Sequence, residues 1–260
     1  MTEHSVSKKQ EIKMKKFLKH IRLANKIGFS SYLQYLLAKP GAEIKLEILR
    51  KKIFIRKGTP DLGVAMSCFS GEFDVLKYLF PKDYSGIIVD AGGYIGTSAI
   101  ALKQIYPKAK IIVIEPSQYN LSILKKNLEG ISNIKIVYGA LIGSSQKTVT
   151  LNNRGTMEWG YTVVSKPLDN PNAKPLHKTP AFRLKDLLDK SEKIGLLKLD
   201  IEGGESDLLK NDIKTLKKIP VVFAELHNRI VSGCEEMYFK FSKNRILIKD
   251  RGEKYLSIKR

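Results

Sequence analysis

The sequence is poor in cysteine, tryptophan, histidine and acidic residues, and it has no long apolar run. Of 260 residues, two are cysteine, one is tryptophan and four are histidine. Cys68 and Cys234 lie far apart and form no C-x-x-C pair, so neither a disulfide framework nor a zinc knuckle is indicated, and a reducing, cytoplasmic setting is expected. No apolar stretch approaches the ~18 residues that would span a bilayer. The lysine-bearing N-terminus has no apolar h-region either, so the chain is expected to be soluble, or at most peripheral to a membrane. No internal repeat is evident.

The shortage of acid is large: 46 Lys plus Arg face 26 Asp plus Glu, for a formal charge of +20. Such a balance usually signals a polyanionic partner. Its distribution narrows that reading, because residues 1–60 carry 15 basic against 4 acidic residues, or +11; residues 61–238 carry 23 against 20, or +3; and residues 239–260 carry 8 against 2, or +6. Most of the basicity is terminal. A hydrophobic content of 43% is that of a globular protein, and the length suits one large α/β domain with an extension, or two small domains.

Residues 7–37 read as helix, with Met14, Phe17, Leu18 and Ile21 on one face, interrupted at Gly28 and ended by Pro40-Gly41. Ile44, Leu46 and Ile48, then Ile53 and Ile55, read as short strands, and residues 70–80 as a helix. From residue 86, apolar runs alternate with amphipathic helices, the pattern of a parallel sheet covered on both faces. Strands are expected at Ile87–Asp90, Ile111–Glu115, Ile134–Tyr138, Leu196–Asp200 and Val221–Glu225. Residues 245–249 and 255–259 read as an antiparallel pair. Ser117 is the expected cap of a helix that Gly130 stops. Residues 141–183 break the alternation as an insertion with a β-like Thr148–Leu151 and a Pro- and Asn-rich loop from Asp169 to Pro180. Such insertions usually wall a substrate site. The boundaries expected are a basic extension over 1–60 and a catalytic domain over 61–260.

The most informative stretch is Ile87-Ile88-Val89-Asp90-Ala91-Gly92-Gly93-Tyr94-Ile95-Gly96, a buried strand running into a glycine turn and a helix. Glycines there let backbone approach a ligand at the carboxyl end of the strand. Glu115 ends the next strand, where it can accept hydrogen bonds from both hydroxyls of a ribose. A dinucleotide and S-adenosylmethionine both fit, and Asp90 separates them: a carboxylate in place of the first fingerprint glycine repels a pyrophosphate but favours an ammonium and a sulfonium. S-adenosylmethionine is therefore the expected cofactor. Asp90, Gly92, Gly93, Tyr94, Gly96, Glu115, Pro116 and Ala140 are its candidate binding positions.

On the acceptor side, Leu199-Asp200-Ile201-Glu202-Gly203-Gly204-Glu205 puts acids at the carboxyl end of a central strand, which faces the ligand crevice. Glu205 reads as favourable charge at a helix N-terminus. Glu225-Leu226-His227 brings another acid and a histidine to the same rim. A hydroxyl acceptor needs its proton removed, for which Asp200 or His227 could act as general base, with Glu202 the third candidate catalytic residue. Asp200, Glu202, Glu225 and His227 could instead hold a hard divalent cation. The metal-free version is preferred.

These residues resemble the FkbM-type S-adenosylmethionine-dependent methyltransferases. Arg56-Lys57-Gly58-Thr59-Pro60-Asp61-Leu62 looks like that family's R-x-G-T-x-D-L, and Asp90 to Gly96 like its D-x-G-A-N-I-G, with Gly93 and Tyr94 in place of the usual Ala and Asn. Glu115-Pro116 is similar to its E-P, Lys198 to Glu205 to its K-I-D-[VI]-E-G-A-E, and Glu225-Leu226-His227 to its E-x-H. The resemblance implies a class I methyltransferase fold, a Rossmann-like, seven-stranded, mostly parallel α/β sheet in the order 3-2-1-4-5-7-6, behind the N-terminal helical extension. It also implies O-methylation of a hydroxyl on a small molecule, sugar or glycan. RNA methylation is the rival reading, invited by the charge; against it, the core is only +3, and the absence of an [ND]-P-P-[YFW] motif counts against methylation of a base amine, which leaves ribose O-methylation as the form of this rival. The other rival is a binding protein without catalysis, docked on an anionic membrane through the basic N-terminal helix.

Overall fold

The computed structural model describes Met14, Leu18, Ile21, residues 23–189 and residues 191–260. Much of the helix expected over residues 7–37 lies outside the described residues. Within them, residues 23–27 are helical, Gly28 breaks the run at φ 77°, and helix α1 follows over Phe29–Leu37. The chain divides into two compact units, Met1–Ser70 and Gly71–Arg260. No described helix is long and apolar enough to cross a membrane.

In the first unit, strands β1 (Glu43–Ile48) and β2 (Lys51–Arg56) form an antiparallel hairpin in which Ile48 pairs with Lys51. The two connecting residues, Leu49 and Arg50, both have positive φ, 48° and 66°, the mirror-image turn whose twist matches that of the strands. Strict alternation puts Leu46, Ile48, Ile53 and Ile55 on one buried face. Helix α2 (Asp61–Ser67) completes the unit. Its first residue, Asp61, is fully buried and accepts from the Arg56 guanidinium at both oxygens, Nε at 2.9 Å and Nη2 at 2.8 Å, and from the Arg56 N–H at 2.8 Å. Thr59 Oγ1 donates to the Arg56 carbonyl at 2.9 Å. The Arg, Thr and Asp of the R-x-G-T-x-D-L stretch thus join the end of β2 to the start of α2.

The expected helix over 70–80 is replaced by a π-helical turn at Cys68–Glu72 and a 3-10 turn at Asp74–Leu76. Gly71 lies within the first of them at φ 92°, and a Cβ there would lie 2.8 Å from Asp74 Oδ2. The carboxylate folds back over the glycine, which is incompatible with a continuous α-helix.

The second unit is built on β3 (Ile87–Ala91), β4 (Lys110–Glu115), β5 (Ile134–Tyr138), β9 (Ile194–Leu199), β10 (Val221–Glu225), β11 (Arg245–Lys249) and β12 (Lys254–Lys259), in the sheet order β11-β12-β10-β9-β3-β4-β5. Numbered within the sheet and read from the β5 edge, that is 3-2-1-4-5-7-6. β12 alone is antiparallel, to both β10 and β11. Between the strands run α3 (Thr97–Ile105), α4 (Gln118–Leu128), α5 (Glu205–Asn211), α6 (Ile213–Leu216) and α7 (Cys234–Ser242). Every residue of β3 is buried, as a strand covered on both faces must be. Ser117 caps α4 by accepting from the Asn120 N–H at 3.4 Å.

The insertion is a sheet of its own, β6 (Ala140–Leu141), β7 (Thr148–Asn153) and β8 (Lys174–Phe182), ordered β6-β8-β7. The end of the expected Pro- and Asn-rich loop is therefore strand. Pro175 and Pro180 are tolerated because only Ala181 and Phe182 of β8 pair with β6, while β7 covers the other side. Asp207 of α5 anchors the start of the insertion by accepting from the N–H groups of Gly143 at 2.6 Å and Ser144 at 3.1 Å.

Asp61→Ala leaves the largely buried Arg56 guanidinium without its carboxylate. The expected cost in denaturant unfolding is about 3 kcal/mol, and a loss within experimental error of zero would remove the clip from the account of this unit.

Candidate active site

The carboxyl ends of β3 and β9 cross in direct contact. Gly92, at φ 82°, has no room for a side chain: a Cβ would lie 1.8 Å from the Asp200 carbonyl oxygen. A Cβ on Gly93 would fall 2.3 Å from Val113 Cγ1 of β4. The two glycines therefore let the loop sink between its neighbours. Both donate their N–H groups to the Ile114 carbonyl, Gly92 at 3.1 Å and Gly93 at 2.9 Å. Gly96 caps α3 from the left-handed region at φ 87°.

Glu115 is 4% exposed. Its Oε1 accepts from the Ser117 N–H at 2.9 Å and from Asn120 Nδ2 at 3.2 Å, and its Oε2 from the Tyr94 N–H at 2.8 Å. Burial pushes its carboxyl up to about 7, against the lowering effect of those hydrogen bonds and of Lys198. Oε2 keeps a further acceptor position, since a carboxylate offers about four in all. Tyr94 holds φ 49°, rare for a residue other than glycine, asparagine or aspartate. Pro116 offers its carbonyl to His177 Nε2 of β8 at 3.2 Å, and Ala140 is buried in β6.

Asp90 has no exposed surface. Ser98 Oγ donates to its Oδ2 at 2.5 Å and the Lys198 ammonium stands 3.2 Å from its Oδ1. Its carboxylate does not open on the crevice, as the sequence suggested; it fixes the loop from behind. Lys198 Nζ also donates to the Gly92 carbonyl at 2.8 Å and faces Asp200 Oδ2 at 3.6 Å.

The acceptor half gathers at the ends of β9 and β10. His227 is completely buried, and its Nδ1 is 3.1 Å from Glu205 Oε1. Its Nε2 lies 3.7 Å from Asp200 Oδ1 and 3.6 Å from Glu202 Oε1 and has no hydrogen-bond partner. Glu205 also accepts the N–H groups of Ile201 and Gly203, each at 2.8 Å. It is thus more than a favourable charge at a helix end: it clamps the turn and orients His227. Glu202, 9% exposed and at φ 53°, is paired through Oε2 with Arg154 of the insertion and, at 3.6 Å, with Arg229. Arg154 is further held by Asp169, and Thr162 Oγ1 donates to the Glu202 carbonyl at 2.5 Å. Glu225 instead pairs with Lys254 at 2.9 Å.

These contacts set the charges. Burial alone would lower the His227 imidazole, but Glu205 above all, then Glu202 and Asp200, outweigh it and raise it to about 10. Burial raises Glu202 to about 7, reinforced by Asp200 and opposed by His227 and the arginines. For Asp200, burial is outweighed by Lys198, His227 and Lys254, so its carboxyl sits below the usual range. At neutral pH Asp200 is ionised and His227 already holds its proton, which disqualifies the histidine as a general base in this state.

The model of the methyltransferase FkbM domain matches residues 90–255. The chain belongs to the FkbM methyltransferase family. It is 29% identical over 192 residues to Methyltransferase 1 of Beauveria bassiana (strain ARSEF 2860), a match covering 66% of this chain and 70% of that protein. It is 28% identical over 153 residues to methyltransferase sdnD of Sordaria araneosa, covering 47% and 59%. Among solved structures, it is similar to a putative caffeoyl-CoA O-methyltransferase from Staphylococcus aureus, at 12% identity and a TM-score of 0.44 over 72% of this chain and 82% of the other. The precorrin-6y C5,15-methyltransferase of Geobacter metallireducens compares at 11% identity and a TM-score of 0.40, over 73% and 87%.

The methyltransferase uses S-adenosylmethionine, and the chemistry of the β3 and β4 ends fits it. In the glycine loop Gly92 and Tyr94 are partly exposed, and the carboxylate of Glu115 beside them keeps one acceptor position, which suits a ribose hydroxyl. The structure brings Asp200, Glu202 and His227 into one cluster; Glu225 lies beside His227 at its edge and pairs with Lys254. Four participants carry no site role in the sequence pattern: Lys198, Arg154, Thr162 and Asn120. Lys198 stands in the K-x-D stretch, two residues before Asp200 on the same strand face. The others come from an insertion and a helix whose contacts no spacing encodes.

Proposed function

We propose that the methyltransferase moves a methyl group to a hydroxyl oxygen of a small molecule, sugar or glycan, and that Asp200 receives the hydroxyl proton. The observation that carries this reading is one of exposure. Asp200 keeps 31% of its side chain open, while Glu202, Glu205, Glu115, Asp90 and His227 are all buried. It is the carboxylate of the cluster that an acceptor can reach, and Lys198 and the protonated His227 keep it ionised to take a proton. S-adenosylmethionine supplies an electrophilic methyl carbon. The chain's part is alignment, worth up to ~7 to 11 kcal/mol in such displacements, and proton removal, worth ~10²- to 10⁴-fold. Asp200→Asn should therefore retain donor binding and lose roughly 10²-fold or more in turnover. The assay is transfer of labelled methyl to fractionated glycans, lipids and RNA. Unchanged turnover would clear Asp200, and label entering RNA alone would replace the acceptor class with ribose.

On the donor side, Glu115 accepts a ribose hydroxyl at Oε2, with Gly92, Gly93 and Tyr94 forming the adjoining loop. With three N–H groups already donating to it, accepting a hydroxyl as well needs the ionised carboxylate. Because burial raises this carboxyl to about 7, donor affinity increases with pH through that value, by roughly ten-fold from pH 6 to pH 8. Calorimetry with S-adenosylhomocysteine measures it. Glu115→Gln should bind more weakly and with a flat pH profile; an equally steep profile in that variant assigns the titration to another group.

The methyltransferase also makes peripheral contact with an anionic membrane. On α1, Phe29, Leu33, Leu36 and Leu37 recur at the spacing of one helical face and are 74%, 45%, 42% and 77% exposed, with Lys26 and Lys39 exposed beside them. Phe29→Glu with Leu37→Glu should lower sedimentation with phosphatidylserine vesicles roughly ten-fold while leaving donor affinity unchanged. Undiminished sedimentation would dismiss the contact.

A further inference from the structure

We infer that Asp200 Oδ1, Glu202 Oε1 and His227 Nε2 form a binding site for a divalent first-row transition ion. The inference rests on the reading of this rim as the acceptor side. The three ligand atoms lie within 4.8 Å of one another. The carboxylates are divided in the same way: Asp200 gives Oδ2 to Lys198 and Glu202 gives Oε2 to Arg154 and Arg229, while the remaining oxygen of each turns towards His227 Nε2. That nitrogen is completely buried and has no hydrogen-bond partner. A buried polar atom without a partner is unfavourable, and one aimed between two carboxylate oxygens is placed to share a cation with them.

The other ring nitrogen strengthens the case. Glu205 Oε1 accepts from Nδ1 at 3.1 Å, and Glu205 is itself fixed by two backbone N–H groups. A carboxylate on the far nitrogen is the usual support of a metal-ligating histidine, because it holds the Nδ1 proton and makes the ring more basic, so that an incoming ion displaces only the proton on Nε2. One imidazole with two carboxylates favours Mn²⁺, Fe²⁺ or Zn²⁺ over the all-oxygen ions Mg²⁺ and Ca²⁺. Three protein ligands leave positions open, and Asp200, at the exposed edge of the cluster, puts them on the side an acceptor hydroxyl approaches. A cation there would polarise that hydroxyl beside the carboxylate that takes its proton.

A second group, Glu225, Glu253 and His227, also falls within ligand reach of one ion. Its acids are engaged elsewhere, Glu225 by Lys254 and Glu253 by Arg229. The full chain, dialysed against a chelator, is titrated with Mn²⁺ while the paramagnetic resonance of the free aquo ion is followed. The expected result is a single Mn²⁺ per chain, with affinity reduced roughly ten-fold or more in Asp200→Ala and His227→Gln and unchanged in Glu225→Gln. Asp200 is half-exposed, so Asp200→Ala decides the matter if His227→Gln does not fold. Wild type that retains no Mn²⁺, Asp200→Ala that binds like wild type, or Glu225→Gln that loses the ion would each overturn the site. Methyl transfer to a hydroxyl without Mn²⁺ binding sinks this inference alone, and Mn²⁺ binding without such transfer sinks the proposed function alone.

Discussion

The buried ammonium of Lys198 is the contact on which both halves of the site depend. Taking such a charge out of water costs several kcal/mol, recovered only with good partners on every side. Here Asp90 supplies the opposite charge at 3.2 Å, Gly92 a carbonyl at 2.8 Å, and Asp200 a second carboxylate at 3.6 Å. One side chain from β9 therefore fixes the glycine loop of β3 and the ionisation of the acid after β9. The absence of a side chain at Gly92 is the other half of the same constraint, because only then can the Asp200 backbone come close enough for Lys198 to serve both. Donor loop and acceptor carboxylate are held at one crossing, and alignment of two reactants needs that rigidity more than it needs an acid or base of unusual strength.

Around that crossing the acids have divided their tasks by burial. Glu205, with no exposure, spends its lone pairs on two backbone N–H groups and His227. Glu202, nearly as buried, ties the insertion to the core through Arg154, whose other partner Asp169 lies in the same insertion. Asp200 keeps a partly exposed side chain, as the proposed proton acceptor requires. The insertion is thus latched to the rim by an ion pair as well as by the Thr162 hydroxyl, so a change in Arg154 would act on acceptor geometry from a distance. Removing one member of so closely coupled a set alters the charge of the rest, and single substitutions here will not add.

Much of the frame was legible because it follows from periodicity. Apolar runs such as Ile111–Ile114 and Val221–Ala224 read as strands buried on both faces, and the glycines after Asp90 as a tight loop. Asp200 and His227 were legible as site residues because they stand at strand ends. Other features depend on contacts that spacing does not carry. Asp90 looked like a ligand for a cationic cofactor, and only its neighbour across the sheet, Lys198, turns it into a support. His227 looked like a base, and only the convergence of three carboxylates makes it a cation. The turn at Gly71 defeated the helical pattern over 70–80 because a single left-handed residue overrides the periodicity on either side.

Two residues at the crossing hold a backbone conformation that favours glycine or asparagine, Tyr94 at φ 49° and Glu202 at φ 53°. Each such residue stores about 1–3 kcal/mol and persists only where its surroundings over-determine it. At Tyr94 the compensation is visible: the left-handed turn aims its N–H at Glu115 Oε2, 2.8 Å away, where the acceptor is a buried carboxyl group. At Glu202 the carbonyl receives the Thr162 hydroxyl while the side chain turns between Arg154 and His227. Tyrosine stands where asparagine is usual in the resembling motif, and asparagine enters this region at lower cost. At position 94 this chain therefore carries the strain of a large side chain in a left-handed conformation, offset by the hydrogen bond its N–H gives to Glu115.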